Sequence, residues 1–147
     1  MTLNLRRHAK KILQAHRADG ALAFPGYVPF DIEARPTWWT EGGEDEAWGE
    51  IIGVHENQPG SPIGAIIIAT NGIAFVACEG AIAWVPYAEI GGWEQLSKEP
   101  PSTSLKVNLT TGGRVELPFD RGGAFGFVQF LINAKREHRK HSSTRTE

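Results

Sequence analysis

The hydrophobic pattern is densest over residues 61–90, SPIGAIIIATNGIAFVACEGAIAWVPYAEI. It predicts three consecutive strands, near 63–70, 73–79 and 81–87. Asn71-Gly72 separates the first two and best tolerates the positive φ angles of a two-residue type I′ turn. Glu79-Gly80 separates the second and third. The run from Ile73 to Cys78 is apolar throughout, so both faces of the middle strand need cover. In the third strand Ile82 and Trp84 share one face, and Ala83 and Val85 the other. Pro86 ends regular pairing or marks an edge.

The same reasoning extends to both sides. Residues 50–57, EIIGVHEN, read as the first strand of the main domain, and QPGSP at 58–62 as a loop. Residues 89–96, EIGGWEQL, read as a short bent strand in which Gly91-Gly92 permits a bulge. Leu105, Val107 and Leu109 alternate with Lys106 and Asn108. Val115, Leu117 and Phe119 alternate with Arg114 and Glu116, so a hairpin with one solvated face spans the turn at 110–113. The period then changes. Ala124, Phe127, Val128, Leu131, Ala134 and Lys135 recur at helical spacing over 124–138, with Phe130 and Ile132 broadening the stripe and Asp120 as an N-cap.

The first 48 residues differ. Residues 3–17 present Leu5, Ala9, Ile12, Leu13 and His16 on one face of an amphipathic helix, which Gly20 can cap. Residues 21–39 contain three prolines between Phe24 and Thr37, which exclude a continuous helix or a central strand. They also carry Phe24, Tyr27, Phe30, Trp38 and Trp39, a load unlike that of disordered linkers. An ordered arm lying across the domain is expected. The apolar middle strand then has two covers: the helix 124–138 on the concave side and the arm 21–39 on the other.

Charge sharpens this division. The net charge of −2 conceals five basic and no acidic residues over 1–17, and five basic against two acidic over 135–147. The body between them is strongly acidic, which argues against a nucleic-acid surface there. The basic ends either offset that body or meet an anionic partner. The apolar runs are strand-length, and no signal peptide is visible, so a soluble, cytoplasmic protein is expected. The single cysteine, Cys78, reads as a small buried hydrophobe.

The runs IIIATNGIAF, AIAWVPYAEIGGWE and LKVNLTTGGRVELPF, followed by FGFVQFLINAKRE, resemble the pleckstrin-homology-like superfamily, in particular small bacterial members. The pattern Val85-Pro86-Tyr87-Ala88-Glu89-Ile90 carries most of the likeness, which covers residues 49–138. It implies a mainly β (α+β) domain: a bent antiparallel seven-stranded sandwich or barrel capped by a C-terminal helix. The N-terminal helix and arm (1–48) would pack on it, and 139–147 would form a basic tail. The fold does not imply a function, since members bind lipids, peptides or proteins. Phosphoinositide binders place basic residues in the first strand–strand loop. Here that loop, HENQPGSPIG at 55–64, has no Lys or Arg, so inositol phosphate is not an expected ligand.

The residues offer little chemistry. No GxSxG, HExxH, phosphate-binding loop or CxxC motif is present. His55 and Glu56 are adjacent on a strand and point to opposite faces. His138 and His141 share a helical face without a third ligand. Asp120-Arg121-Gly122-Gly123 reads as a cap and turn. No catalytic residue, cofactor or metal is therefore expected. The expected surface is Trp38, Trp39, Glu41, Glu44, Asp45, Glu46 and Trp48, an acidic and aromatic segment. Through it a non-enzymatic interaction module would bind a protein partner, a basic one by charge, in the manner of an inhibitor or immunity protein. The alternatives are a peripheral membrane module using the basic terminal helices, and a ligand-binding protein or enzyme with its site in the sheet cavity near His55 or Glu89.

Overall fold

The computed structural model describes residues 7, 9, 27–30, 36, 38–39, 46–58, 60–76, 82–95, 104–119 and 124–145. Within them lie two antiparallel sheets and a long C-terminal helix. The five-stranded sheet has the order β1 (Tyr27–Pro29), β2 (Ile51–His55), β3 (Ile66–Ala69), β4 (Gly72–Val76) and β5 (Ile82–Pro86). The three-stranded sheet has the order β6 (Ile90–Trp93), β7 (Ser104–Leu109) and β8 (Arg114–Pro118). The helix, α1, runs from Ala124 to Arg145.

The strand count differs from expectation because the arm contributes one. Tyr27 pairs with His55, Val28 with Val54 and Pro29 with Gly53. A proline lacks the N–H of an interior ladder position but is tolerated on an edge strand, and β1 is one. The tyrosine fixes this pairing. A Cβ on Gly53 would lie inside the Tyr27 ring, so only glycine lets the ring cross β2 there. The described residues therefore hold eight strands rather than seven, in two sheets that do not close into a barrel.

The turn between β3 and β4 also differs. Neither Asn71 nor Gly72 has a positive φ, so a type I′ turn is excluded. The turn is held from outside instead. Asn71 donates its backbone N–H to the Trp48 carbonyl at 3.0 Å and its side-chain amide to the Ala47 carbonyl at 2.9 Å. Gly72 serves close approach, because a Cβ there would strike the Val85 carbonyl of β5. The Glu79-Gly80 turn lies outside the described residues. The bulge predicted at Gly91-Gly92 is present: Ile90 pairs with Leu109, Gly92 with Asn108, and the register shifts between them.

The middle strand is covered on both faces. Ile73 joins the main core with Ile66, Ile68, Val85, Tyr87, Leu105, Leu117, Phe119, Phe127, Phe130 and Leu131. Ala74 and Val76 belong to a second cluster with Trp48, Ile51, Val54, Ala65, Ile67 and Ala69, against which Phe30, Trp38, Trp39 and Trp84 pack. The helix closes the first face and the aromatic segments close the other. Ala124, Phe127, Phe130, Leu131 and Ala134 of α1 are buried, whereas Ile132 turns outward and is 37% exposed. The helix was expected to end at 138; its extension to Arg145 makes most of the stretch read as a basic tail helical. Of the helix predicted over 3–17, Arg7 and Ala9 are described. Both are helical, Arg7 is exposed, and Ala9 is buried in the main core. The rest of that helix and the Asp120 cap lie outside the described residues.

Candidate interaction surfaces

The predicted acidic and aromatic segment is largely a cover. Trp48 ends the 3-10 turn Glu46–Trp48 and is buried, stacked on Trp84 with ring centroids 5.4 Å apart and planes 18° apart. Trp38 and Trp39 are half-buried, 6.0 Å apart. Trp38 donates its indole N–H to Glu56 Oε2 at 2.6 Å, and Glu56 Oε1 accepts the Gly60 N–H at 3.2 Å. Trp39 meets the Phe30 ring edge-on at 4.8 Å, and its own Nε1 is buried with no hydrogen-bond partner among the described residues. Each of the pair is half-buried, so neither ring is sealed and neither is fully presented to solvent. Glu46 opens the 3-10 turn, while Glu41, Glu44 and Asp45 lie outside the described residues.

The loop after β2 divides the histidine from its neighbouring acid, as its alternation requires. His55 is fully buried with its ring 5.2 Å from Phe119, whereas Glu56 faces Trp38. The Asn57 side-chain amide donates to the carbonyls of Gly64 at 2.7 Å and Pro118 at 2.9 Å. Its oxygen is then the acceptor toward His55 Nε2 at 3.3 Å, which places a proton on that nitrogen. These bonds tie the β2–β3 loop to the end of β8. They give His55 and Asn57 a structural task in a region considered for chemistry.

A second surface lies on the other side of the molecule, where α1 crosses β6. A cavity of about 410 Å³ is lined by Tyr87, Ala88, Ile90, Gly91, Thr110, Lys135 and His138. A shallower one of about 240 Å³ is lined by Trp93, Ile132, Lys135 and Arg136. Lys135 borders both, so they form one groove. Its ammonium stands 6.0 Å from the centre of the Trp93 ring, at the outer limit of a cation–π contact. Neither cavity is lined by His55 or Glu89, the residues expected of a site in the sheet.

The local sequence explains the groove. Pro86 ends β5, and the chain makes a 3-10 turn at Tyr87–Glu89 before β6 begins. That turn packs under α1, with Tyr87 6.3 Å from the His138 ring. The Tyr87 hydroxyl donates to the Ala69 carbonyl at 2.7 Å, and burial pushes its pKa well above the ordinary tyrosine value. The small residues Ala88, Gly91 and Thr110 leave the space open on the strand side. The helix supplies the cations because Lys135 and Arg136 fall at the margin of its buried stripe. Lys135 shares the helical spacing of the buried residues but lines this groove beside Arg136, and Trp93 is half-buried. No local signal reveals that Trp93 faces α1.

Among the described residues no group of three metal-ligating side chains comes together, and no helix is long and apolar enough to cross a membrane. Comparison with protein-family models, with curated proteins and with solved structures found no match.

Proposed function

We propose that this protein is an interaction module of pleckstrin-homology-like architecture. Its principal docking site is the groove between α1 and β6, and its partner is a protein presenting an extended acidic segment. The observation that carries this reading is the composition of the groove: Trp93 and Ile132 offer apolar contact, and Lys135 and Arg136 offer positive charge. An aromatic anchor beside cations is what recognition of an acidic chain requires. β6, an edge strand bulged at Gly91, forms the opposite wall. The run of strands β2 to β8 followed by α1 supports the architectural part of the proposal.

This site moves the emphasis away from the segment 38–48, whose tryptophans are occupied in covering the sheet. A second reading keeps that segment as a surface for a basic partner, favoured by the half-exposure of Trp38 and Trp39. A peptide array separates the two. Extended acidic peptides should bind, more weakly as salt rises, and lose at least tenfold in affinity in the K135E/R136E variant at unchanged Tm. Binding of basic peptides, lost on neutralising Glu41, Glu44, Asp45 and Glu46, would favour the second reading. Acidic peptides binding no better than neutral ones would sink the first. Sedimentation with anionic vesicles in the absence of peptide binding would replace both with a membrane role.

A further inference from the structure

The two sheets present four edge strands among the described residues, and three of them are charged, very short or bulged. β8 exposes Arg114 and Glu116, β1 has three residues and ends on Pro29, and β6 is bulged at Gly91 and borders the groove under α1. Charge, proline, brevity and bulges are the ordinary protections of an edge. β5, Ile-Ala-Trp-Val-Pro, is longer than β1, has no charged residue or bulge over its five positions, and carries a proline at its last position only. Ile82 is 50% exposed and Ala83 is exposed. Beyond β5 no further strand pairs among the described residues.

The register shows which backbone groups β5 leaves open. Tyr87 donates its N–H to the Asn71 carbonyl, and Val76 donates to Ala65 on the opposite side of β4. Antiparallel alternation then turns the backbone of Ala83 and Val85 toward β4, opposite Phe75 and Ile73. The N–H and C=O of Ile82 and Trp84 point the other way, to the open edge. Ile82 also has apolar company. Val76 pairs with it on one side and bonds Gly64 and Ala65 on the other, next to Ile63, which is 38% exposed.

We propose that β5 is a self-association edge, on which a second copy of this chain pairs through its own β5 to extend the five-stranded sheet across a twofold axis. A neutral apolar strand is complementary to itself, as an isologous interface requires, and offers nothing to attract a charged partner. Proline decides between the registers centred on Ala83 and on Trp84. With the axis at Ala83, Ile82 faces Trp84 of the second copy and every outward N–H and C=O of both residues is bonded. With the axis at Trp84, Ile82 faces Pro86, which has no N–H, and the Ile82 carbonyl is left without a donor. The first register also sets Ile82 against an indole on the same face, a favourable cross-strand pair. Ala83 then lies opposite its own copy as a non-hydrogen-bonded pair, with Cα atoms about 4.5 Å apart.

Mass in solution, measured by light scattering over a concentration series, should reach that of a dimer. The I82K variant should stay at the monomer mass with unchanged near-ultraviolet circular dichroism. In a C78A background, A83C should cross-link on oxidation because its Cα spacing suits a disulfide, while I82C should not. A monomer at every concentration overturns the proposal. So does a dimer indifferent to I82K, or one in which I82C cross-links and A83C does not; each places the contact elsewhere. None of these outcomes bears on peptide binding in the groove, which K135E/R136E reads separately.

Discussion

The five-stranded sheet has one set of strands and two unlike faces. On the inner face Ile66, Ile68 and Ile73 meet Phe119, Phe127, Phe130 and Leu131, all within 1% of complete burial. That face is sealed by the second sheet and by α1. On the outer face Ile67, Ala74 and Val76 meet Phe30, Trp38, Trp39, Trp48 and Trp84, of which only Trp48 is buried. The inner cover consists of regular elements that satisfy their own backbones. The outer cover is a single layer of rings on irregular chain, and a few side-chain bonds hold it in place. A large ring can shield a sheet without a second layer of structure, but it keeps one side toward water.

Cavity-forming substitutions should read this difference most strongly. Phe127→Ala removes a fully enclosed ring and should cost about 3–5 kcal/mol, with Trp48→Ala near the lower end of that range because water can refill its site. Denaturant unfolding of the two variants checks the order; equal losses would mean that the outer layer is as well packed as the inner one.

The polar pins of the outer layer come next. Trp38→Phe deletes the donor to Glu56 and leaves a buried carboxylate short of a bond, a loss of about 1.5–3 kcal/mol. Trp39→Phe removes an indole N–H that has no partner among the described residues and should cost less. Measured side by side, the two substitutions separate the value of the bond from that of the ring. A larger loss for Trp39 would show that ring volume governs this layer.

The smallest effect belongs to the sealed face. Tyr87 keeps its proton in the folded protein well above the usual tyrosine value because burial disfavours the phenolate. The unfolded chain releases that proton from about pH 10 upward, so there the folded state binds more protons and stability falls as pH rises. Below that range the contribution is complete. Tyr87→Phe should flatten this alkaline loss and cost about 1 kcal/mol near neutrality for the bond to Ala69. An alkaline profile unchanged by the substitution would mean that Tyr87 is not sealed.

Several features were readable because they depend on neighbours in the chain. The alternation of Leu105, Val107 and Leu109 assigned the buried face of β7, and Gly91-Gly92 marked the bulge. Burial of Phe127, Leu131 and Ala134 followed from their spacing. The opposed directions of His55 and Glu56 followed from the period of a strand. Other features were hidden because they depend on residues far apart. Nothing near Tyr27 announces that it pairs with His55, and nothing near Asn71 shows that its turn is held by Ala47 and Trp48. The groove was hidden for the same reason: Trp93 and Lys135 are forty-two positions apart in the chain.

By itself, the sequence determined the mainly β character, the need to cover both faces of the 73–76 stretch, and the closing helix. Periodicity is a local property, and burying apolar side chains is its direct consequence. Tertiary structure alone decided which tryptophans cover and which remain half open, that the arm becomes an edge strand, and that helix cations face an aromatic strand across a groove. Those outcomes depend on where the elements meet, and pattern along a chain does not encode the distance between its distant parts.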